Sequence, residues 1–271
     1  MNLLMRNCLN KEKEFEKFLS ESLEKSSLYG QAERDYVLDS ELHGQVSILE
    51  YDGGSEGPIV VRNVIAENEE KANTLASGYH VVKNGIMLPL KITEIKEWEN
   101  GLEAWITGVL ENESEITFFD ADYALNKEKY ETGKSYNFII GALAYTASES
   151  ESKGFKFEGQ KAIDFKAKMG EEPEYDEEGN VKPVEFSTEK LCAFMQMGHA
   201  PDEAKYISTV EKVNSVKAFG KDFWKFDVVD RTSGEAEILI PTFTLKNKEN
   251  KDLKKAAQIE GILWVTGFLA K

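Results

Sequence analysis

Near the start of the chain, hydrophobic residues recur with the period of a helix. Within residues 11–28, four apolar positions fall on one stripe: Phe15, Phe18, Leu19 and Leu23. The positions between them are Glu, Lys and Ser, so the segment predicts an amphipathic helix. Because glycine often follows the last turn of a helix, Gly30 marks its expected end. The helix either packs on its own domain, which we favour, or docks a partner.

Farther along, the apolar spacing shortens to two, which indicates β-strands. Residues 46–51 and 59–64 are predicted strands, and the Gly- and Pro-containing segment 52–58 between them predicts a hairpin turn. A short helix is predicted over residues 67–77. The strand pattern returns over residues 81–90, where an Asn-Gly pair predicts a tight turn.

The rest of the chain contains two strand-rich blocks, the first of which includes a short helical insert at residues 123–130. Between the blocks, residues 168–188 are acidic and contain Gly and Pro, so they predict a linker or a long hairpin. A short helix is predicted over residues 188–197. These patterns divide the chain into four parts: an N-terminal helix with a small α+β region (1–87), a first barrel (88–167), an acidic linker or hairpin with a short helix (168–204) and a second barrel (205–271).

The two strand-rich blocks resemble each other. Trp105 follows Gly101 by four positions in the first block, and Trp224 follows Gly220 by four in the second. Each block closes with a similar apolar strand in which three positions match: Gly141 with Gly267, Leu143 with Leu269, and Ala144 with Ala270. An internal repeat is therefore predicted.

Each block is predicted to run strand, strand, strand, helix-compatible segment, strand. The glycine inside the last strand is typical of a bulge or a tight bend. In this order the sequence resembles a tandem OB-fold protein, in which each five-stranded barrel carries its helix between strands three and four. The resemblance is architectural and covers about half of the chain. It implies a mainly β (α+β overall) class with two related OB-like β-barrels after the N-terminal region. Another β-barrel or sandwich and a mixed α+β sheet are the alternatives.

An OB barrel needs a fifth strand, and the two blocks differ in its expected source. In the first block, residues 155–165 are the candidate fifth strand. The second block ends at Lys271, directly after its fourth strand. Its barrel therefore either stays open or is completed by an N-terminal strand.

Composition narrows the class of protein. The hydrophobic share is 41%, which is enough for a core and excludes wholesale disorder. No apolar run approaches 18 residues, so no membrane span is expected. The N-terminus lacks the features of a signal peptide, and we expect a cytoplasmic protein. Its two distant cysteines, Cys8 and Cys192, are expected to be reduced thiols.

Motifs for catalysis are scarce, and no catalytic residue, cofactor or metal is predicted. The three histidines stand alone and are expected to be structural or on the surface: His43, His80 and His199. Asp120 and Asp122 follow a predicted strand at a spacing that places both on one side. Such a pair suits a glycosidase dyad or a hard metal ion, or forms a solvated strand end, which we favour. A carboxylate- or metal-dependent enzyme is the third of three hypotheses.

Aromatic residues on strands are the main indication of binding, because OB-folds stack bases or sugars on exposed rings. The candidate aromatic residues are Trp98, Phe119, Tyr123, Phe219, Phe223 and Phe243. Since adjacent strand residues point to opposite faces, one member of each pair Phe118/Phe119 and Phe223/Trp224 is expected in the core. The matched residues Trp105 and Trp224 are both expected in the core.

Charge is distributed unevenly. The chain has 33 Lys and Arg against 49 Asp and Glu, a net charge of -16, yet residues 205–271 contain 12 basic and 9 acidic residues. Lys254 and Lys255 belong to the basic excess and are candidate phosphate contacts. The leading hypothesis is a non-enzymatic module that binds single-stranded nucleic acid through the C-terminal barrel. The alternative is an acidic interaction or assembly module for a basic protein partner, of which a nucleic-acid mimic is one version.

Overall fold

The computed structural model describes most of the chain: residues 12–53, 57–111, 113–150, 154–168, 170–186, 192–230 and 238–271. The N-terminal segment and Cys8 lie outside these residues, whereas Cys192 is a free, half-buried thiol. The chain divides into two compact units, residues 1–149 with 192–271, and residues 150–191. No helix in the described ranges is both long enough and apolar enough to cross a bilayer.

The protein is mainly β, as predicted. The helices are α1 (Glu12–Glu24), α2 (Tyr123–Asn126) and α3 (Gln160–Lys168), with 3-10 turns at Lys127–Lys129 and Leu253–Lys255. The strands are β1 (Ser27–Val37), β2 (Glu41–Tyr51), β3 (Ile59–Glu67), β4 (Asn73–Val82), β5 (Ile86–Glu97), β6 (Ala104–Val109), β7 (Glu115–Asp120), β8 (Ser135–Glu149), β9 (Phe155–Phe157), β10 (Val184–Phe186), β11 (Ala193–Met197), β12 (Ala200–Thr209), β13 (Asn214–Ala218), β14 (Lys221–Asp230), β15 (Ile238–Leu245) and β16 (Gln258–Leu269).

The N-terminal part of the larger unit is a helix followed by an antiparallel four-stranded sheet, β1-β2-β3-β4. The predicted N-terminal helix is confirmed as α1, and the predicted strands at 46–51 and 59–64 lie within β2 and β3. On α1, the Phe18 ring lies 6.2 Å from Tyr51 and stacks at 6.1 Å on His80. The Phe18 side of α1 therefore packs on the sheet of its own unit, as favoured from the sequence. Gly30 lies inside β1 rather than at the end of the helix.

The helix predicted over residues 67–77 is wrong, because Glu67 ends β3, residues 68–72 connect the two strands and residues 73–77 belong to β4. β4 pairs with β3 from Glu67↔Asn73 to Ile59↔Val82. The connection is a tight turn in which the Asn68 Oδ1 accepts hydrogen bonds from the backbone N–H groups of Glu70 and Ala72. Pairing with β3 and burial of the C-terminal half of β4 thus outweigh the helical propensity of its Ala and Leu residues.

Five strands of the larger unit close into a ring. β5, β6 and β7 are antiparallel neighbours, β7 pairs in parallel with β16, β16 is antiparallel to β8, and β8 is antiparallel to β5. The helical insert predicted at residues 123–130 is confirmed as α2 with its following 3-10 turn. This insert lies between β7 and β8. The Asn-Gly turn is also confirmed, since β4 ends at Val82 and β5 begins at Ile86.

The fifth strand of the ring comes from the C-terminus of the chain, so the strand predicted at residues 155–165 is wrong. Only β9 is extended in that segment, and α3 occupies most of the remainder. β16 is suited to the central position because strands of a sheet covered on both faces need near-continuous apolar residues. Its residues 263–267 are all buried, whereas residues 155–165 include the charged residues Lys156, Glu158, Lys161 and Asp164.

The C-terminal block uses β8 in the same way. β13, β14 and β15 are antiparallel, and β15 pairs in parallel with β8 through Thr242↔Ala142. β16 pairs with β8 on one side and with β12 on another. The last strands of the two blocks, β8 and β16, therefore exchange partners. β16 pairs in parallel with β7 of the first block, and β8 pairs in parallel with β15 of the second block.

Two further helix predictions differ from the structure. Residues 193–197 of the helix predicted at 188–197 form the strand β11, and residues 187–191 lie outside the described ranges. The helix-compatible stretch before β16 contains only the 3-10 turn at Leu253–Lys255. Both segments are short and are bounded by strands that pair with distant partners, so tertiary pairing determines their conformation.

The smaller unit contains β9, β10 and α3. β9 and β10 are antiparallel, and the rings of Phe157 and Phe165 stack at 4.6 Å. The acidic segment between α3 and β10 includes a turn in which Asp176 Oδ1 accepts hydrogen bonds from the backbone N–H groups of Glu178 and Asn180. These bonds explain the turn without a bound ion.

The larger unit has two main hydrophobic clusters. One includes the side chains Ile106, Phe118 and Phe138 of the ring together with residues of the C-terminal strands. The second lies between the four-stranded sheet and the outer faces of the ring strands. Gly141 on β8 permits this approach, because a Cβ atom there would lie 2.5 Å from the Val82 side chain. The glycine predicted to mark a bend therefore marks a close contact.

Candidate functional site

Four of the six predicted ligand-binding aromatics are buried, which corrects their assignment as stacking surfaces. The exposed fractions are 2% for Phe119, 6% for Tyr123, 4% for Phe223 and 0% for Phe243. The expectation that one member of each adjacent pair faces outward is also wrong, since Phe118 and Trp224 are buried as well. Within each pair, one ring packs in each hydrophobic cluster: Phe118 and Trp224 in the first, Phe119 and Phe223 in the second.

The matched tryptophans point to different clusters. Trp224 is buried with Phe226 in the first cluster, which confirms its expected core position, whereas Trp105 packs half-buried beside the second. Trp105 and Trp224 each follow a glycine by four positions, but they are not equivalent in the structure. Phe223, and not Trp224, lies in the second cluster with Trp105. The core expectation therefore holds for one of the two.

Phe219 packs at the N-terminal sheet and not beside the candidate lysine Lys254. Phe219 has a backbone φ of 52° and is half-buried, with its ring 5.6 Å from Phe18 and 5.6 Å from His80. Its ring therefore contributes to packing at the N-terminal sheet. Lys254 is exposed on the 3-10 turn before β16, and the surroundings of the Lys255 side chain lie outside the described part.

Trp98 is the predicted aromatic that remains accessible, with 38% of its surface exposed. Its ring lies 5.5 Å from Trp105 and 5.7 Å from Phe119, in both cases edge to face. The pair Trp98 and Trp105 lies where β5 ends and β6 begins. Trp105 in turn lines a groove that sequence reasoning missed.

The floor of the groove is the outer face of β5, β6 and β7. Two rows of paired residues run across this face, Lys96–Trp105–Phe119 and Glu94–Thr107–Thr117. All of them except the buried Phe119 line the groove. The second row is linked by a hydrogen bond of 2.9 Å between the Thr107 and Thr117 hydroxyls. In the first row, the Lys96 Nζ lies 5.2 Å from the centre of the Trp105 ring. The floor thus combines an aromatic face, an ammonium group and hydroxyl groups.

The wall of the groove is the tip of the β11–β12 hairpin, which contributes Gln196, Gly198, His199 and Pro201. The hairpin is held near β7 because β12 pairs with β16, which pairs with β7. The groove is open to solvent and has a volume of about 770 Å³, within the range of sites for small ligands. His199, expected to be structural or on the surface, is an exposed lining residue.

The charges of the groove are few. Glu94, Glu115 and Lys96 are exposed lining residues, and no ion pair involves any of the three within the described ranges. Two acceptor-only carboxylates and one ammonium are therefore available to a ligand. Trp105 and Thr107 alternate along β6 with residues that are buried. This two-residue period is the pattern in the sequence that could have indicated the floor of the groove.

Asp120 and Asp122 do not form a solvated strand end, because both are buried at the junction of the ring and the four-stranded sheet. Asp122 pairs with Arg62 of β3 and accepts a hydrogen bond of 2.8 Å from the Tyr29 hydroxyl. Arg62 also contacts Glu50 at 3.1 Å and lies 3.9 Å from the Tyr29 ring centre. This ion cluster holds the β7–α2 connection against the sheet.

Asp120 is the more strongly perturbed carboxyl group. Burial raises its pKa to about 7, and the charge of Asp122 contributes to the rise. Its Oδ1 accepts a hydrogen bond of 3.0 Å from the Asp122 backbone N–H, and Tyr130 lies beside it. Neither carboxyl group lines the groove. The pair therefore lacks the access to a substrate that a glycosidase dyad requires.

No cluster of three His, Cys, Asp or Glu side chains able to hold a metal ion is found among the described residues. His43 contacts Asp35 at 2.6 Å on the surface, and burial lowers the pKa of His80 to about 4.

Comparisons with protein-family models, with curated proteins and with solved structures give no match.

Proposed function

We propose that the chain is a non-enzymatic binding module and that its groove over β5, β6 and β7 holds single-stranded nucleic acid. The observation that carries the proposal is the Trp105 ring on the floor, with the Lys96 Nζ over it at 5.2 Å and the Trp98 ring at 5.5 Å. Stacking of a base on an aromatic ring contributes about 1–3 kcal/mol and tolerates any base. The ligand is assigned to the first ring because the candidate aromatics Phe223 and Phe243 of the second block are buried.

The strand order supports a more specific architecture for the module. We take the ring as an OB-like barrel in which β5, β6, β7 and β8 are strands one to four and β16 is strand five. The parallel pairing of β7 with β16 and the position of α2 between β7 and β8 support this assignment. The C-terminal block is a second, related barrel that takes β8 as its fifth strand, and the two arise from an internal repeat. We assign the module to the cytoplasm.

Salt dependence distinguishes this binding mode from a lysine-rich one. Binding to single strands weakens with salt by a log–log slope of about -0.7 for each phosphate neutralised. Lys96 is the one lysine among the groove residues. We therefore expect affinity to fall only about threefold between 50 and 200 mM salt. A steeper loss, abolished by Lys254→Glu with Lys255→Glu, would instead favour phosphate contacts on the C-terminal block.

The test is a fluorescence-anisotropy titration of labelled 12-nucleotide DNA and RNA at both salt concentrations. Trp105→Ala is expected to weaken binding by a factor of about 5 to 150, which corresponds to the loss of one stacking contact of about 1–3 kcal/mol. Tyr175→Ala is the matched control, because Tyr175 is 54% exposed and belongs to the smaller unit. Absence of binding at roughly 100 μM protein, or equal effects of both substitutions, would refute the proposal.

A basic protein partner is the second candidate, favoured by the net charge of -16 and by Glu94 and Glu115 at the groove. Complementary charge accelerates association but is screened by salt. A Lys-rich peptide would then bind with a steep salt dependence while the oligonucleotides do not bind.

A further inference from the structure

We infer that Asp202, on β12 at the base of the groove wall, is a positioning residue that holds the Trp105 ring in place on the groove floor. The inference rests on the proposed function, because it concerns the ring on which a base is proposed to stack. It follows from the surroundings of a buried carboxyl group to which the sequence gave no role.

The partners of the Asp202 carboxyl group are tryptophan indoles. Only 6% of Asp202 is exposed, and its Oδ2 accepts a hydrogen bond of 2.6 Å from the Trp264 Nε1. The Trp105 Nε1 is also buried and has no acceptor at ordinary hydrogen-bond geometry among the described residues. Burial raises the pKa of Asp202, and the indoles of Trp264 and Trp105 both oppose the rise. The Trp105 N–H therefore lies near the same carboxylate.

This carboxylate connects the wall of the groove with its floor. Asp202 directly follows Pro201, a wall residue, whereas Trp105 belongs to the floor. Trp264 lies on β16, which pairs with β12, and its ring lies 5.4 Å from Phe119, the partner of Trp105 on β7. The two indoles thus reach Asp202 from β6 and β16, the strands on either side of β7.

A carboxylate suits this position because both of its oxygens accept hydrogen bonds, so it can serve two indole N–H groups at once. A carboxamide of the same shape has one accepting oxygen and one donating NH₂ group. In Asp202→Asn the oxygen is expected to keep the bond from Trp264, which leaves the NH₂ group towards the Trp105 N–H. Two buried donors facing each other are unfavourable, so the Trp105 ring should shift.

The experiment measures the effect of Asp202→Asn with and without the Trp105 N–H. The full-length wild type, Asp202→Asn, Trp105→Phe and the double variant are compared by anisotropy with the labelled 12-nucleotide DNA and by near-UV circular dichroism. Asp202→Asn should weaken binding by the wild type about fivefold, the lower end of the loss of one base stack. On the Trp105→Phe background it should change the affinity less than about twofold, because a phenyl ring has no N–H to orient.

The near-UV spectrum should follow the same pattern, since Asp202→Asn is expected to change it on the wild-type background and to leave it nearly unchanged on the Trp105→Phe background. Asp227→Asn is the control with the same change of charge. Asp227 is exposed on β14 and does not line the groove, so this variant should match the wild type in both measurements.

The outcomes separate the inference from the proposed function. Equal effects of Asp202→Asn on both backgrounds, or no effect on either, overturn the inference, whereas binding by the wild type leaves the proposed function standing. If no protein binds the oligonucleotide, the proposed function fails and the circular-dichroism comparison alone decides the inference. Trp264→Phe is the second variant: it removes the 2.6 Å bond but not the contact with Trp105. If it weakens binding or changes the Trp105 signal as much as Asp202→Asn does, Asp202 acts through Trp264 and the inference is overturned.

Discussion

Replacement of Asp120 by Asn tests whether the junction between the ring and the four-stranded sheet contains a carboxyl group that resists ionisation. Asp120 is fully buried, and burial with the nearby Asp122 raises its pKa from 3.8 to about 7. The Asn side chain has the shape of the protonated Asp, and its Oδ1 can keep the hydrogen bond from the Asp122 backbone N–H. The substitution therefore removes the ionisation and preserves the packing.

The sign of the pH effect follows from the direction of the shift. Between about pH 4 and pH 7 the folded state retains a proton on Asp120 that the unfolded state releases, so the free energy of unfolding decreases as pH rises. A shift of one pKa unit corresponds to about 1.4 kcal/mol. The rise from 3.8 to about 7 thus corresponds to a loss of about 4 kcal/mol, complete near pH 7.5.

The assay is urea-induced unfolding of the wild type and of Asp120→Asn at pH 4.5, 6.0 and 8.0. The stability of the variant relative to the wild type is expected to increase with pH, with a gain of about 4 kcal/mol between the acidic limit and pH 8. His80 titrates in both proteins, so its contribution cancels in the difference. Asp39→Asn, at an exposed aspartate, should show no comparable trend. A difference that is constant with pH, or that decreases, would refute the reasoning.

Three further perturbations test the packing of the larger unit. Arg62→Met leaves the buried Asp122 without its guanidinium partner and should lower the free energy of unfolding by about 3–5 kcal/mol at pH 7, measured by urea unfolding, with partial recovery on adding Asp122→Asn. Gly141→Ala places a Cβ atom 2.5 Å from Val82 and should cost about 1–3 kcal/mol by the same assay, whereas Gly198→Ala, with no atom within 4 Å, should cost little. Truncation after residue 257 removes β16 and with it the partner of β7, β8 and β12, so the cooperative unfolding transition and the near-UV circular dichroism should both be lost, whereas removal of Lys271 alone should preserve them.

The local sequence correctly predicted elements of which one face is buried and the other is exposed. The apolar stripe of residues 15–23 correctly predicted α1, and the alternation at residues 46–51 and 59–64 correctly predicted parts of β2 and β3. In these elements the side-chain period follows directly from burial on one side. The turn at residues 84–85 was also predicted because Asn-Gly favours a tight turn independently of the rest of the fold.

The same reasoning failed for strands covered on both faces. The argument that one of Phe118 and Phe119 faces outward assumes a sheet with one solvated side. β7 instead lies between two hydrophobic clusters, so both rings are buried. Asp120 and Asp122 were assigned to solvent for the same reason, because a partner such as Arg62, about 60 residues earlier in the chain, has no local signature.

The groove was missed because its two sides come from distant parts of the chain. The floor lies on β5, β6 and β7, whereas the wall is the tip of the β11–β12 hairpin. Only the pairing of β12 with β16, and of β16 with β7, brings the wall to the floor. No pattern within either segment contains this information.

The C-terminal block takes the strand beside β15 from the first block. A separate fifth strand is unnecessary if β8, already present as the fourth strand of the first ring, pairs in parallel with β15. The register supports a reciprocal relation, since Gly141 pairs with Thr266 and Ile140 pairs with Gly267 across β8 and β16. The positions that match in sequence, Gly141 and Gly267, thus make equivalent pairings on opposite strands. Because each block depends on a strand of the other, the groove on the first ring depends on correct folding of the C-terminal block.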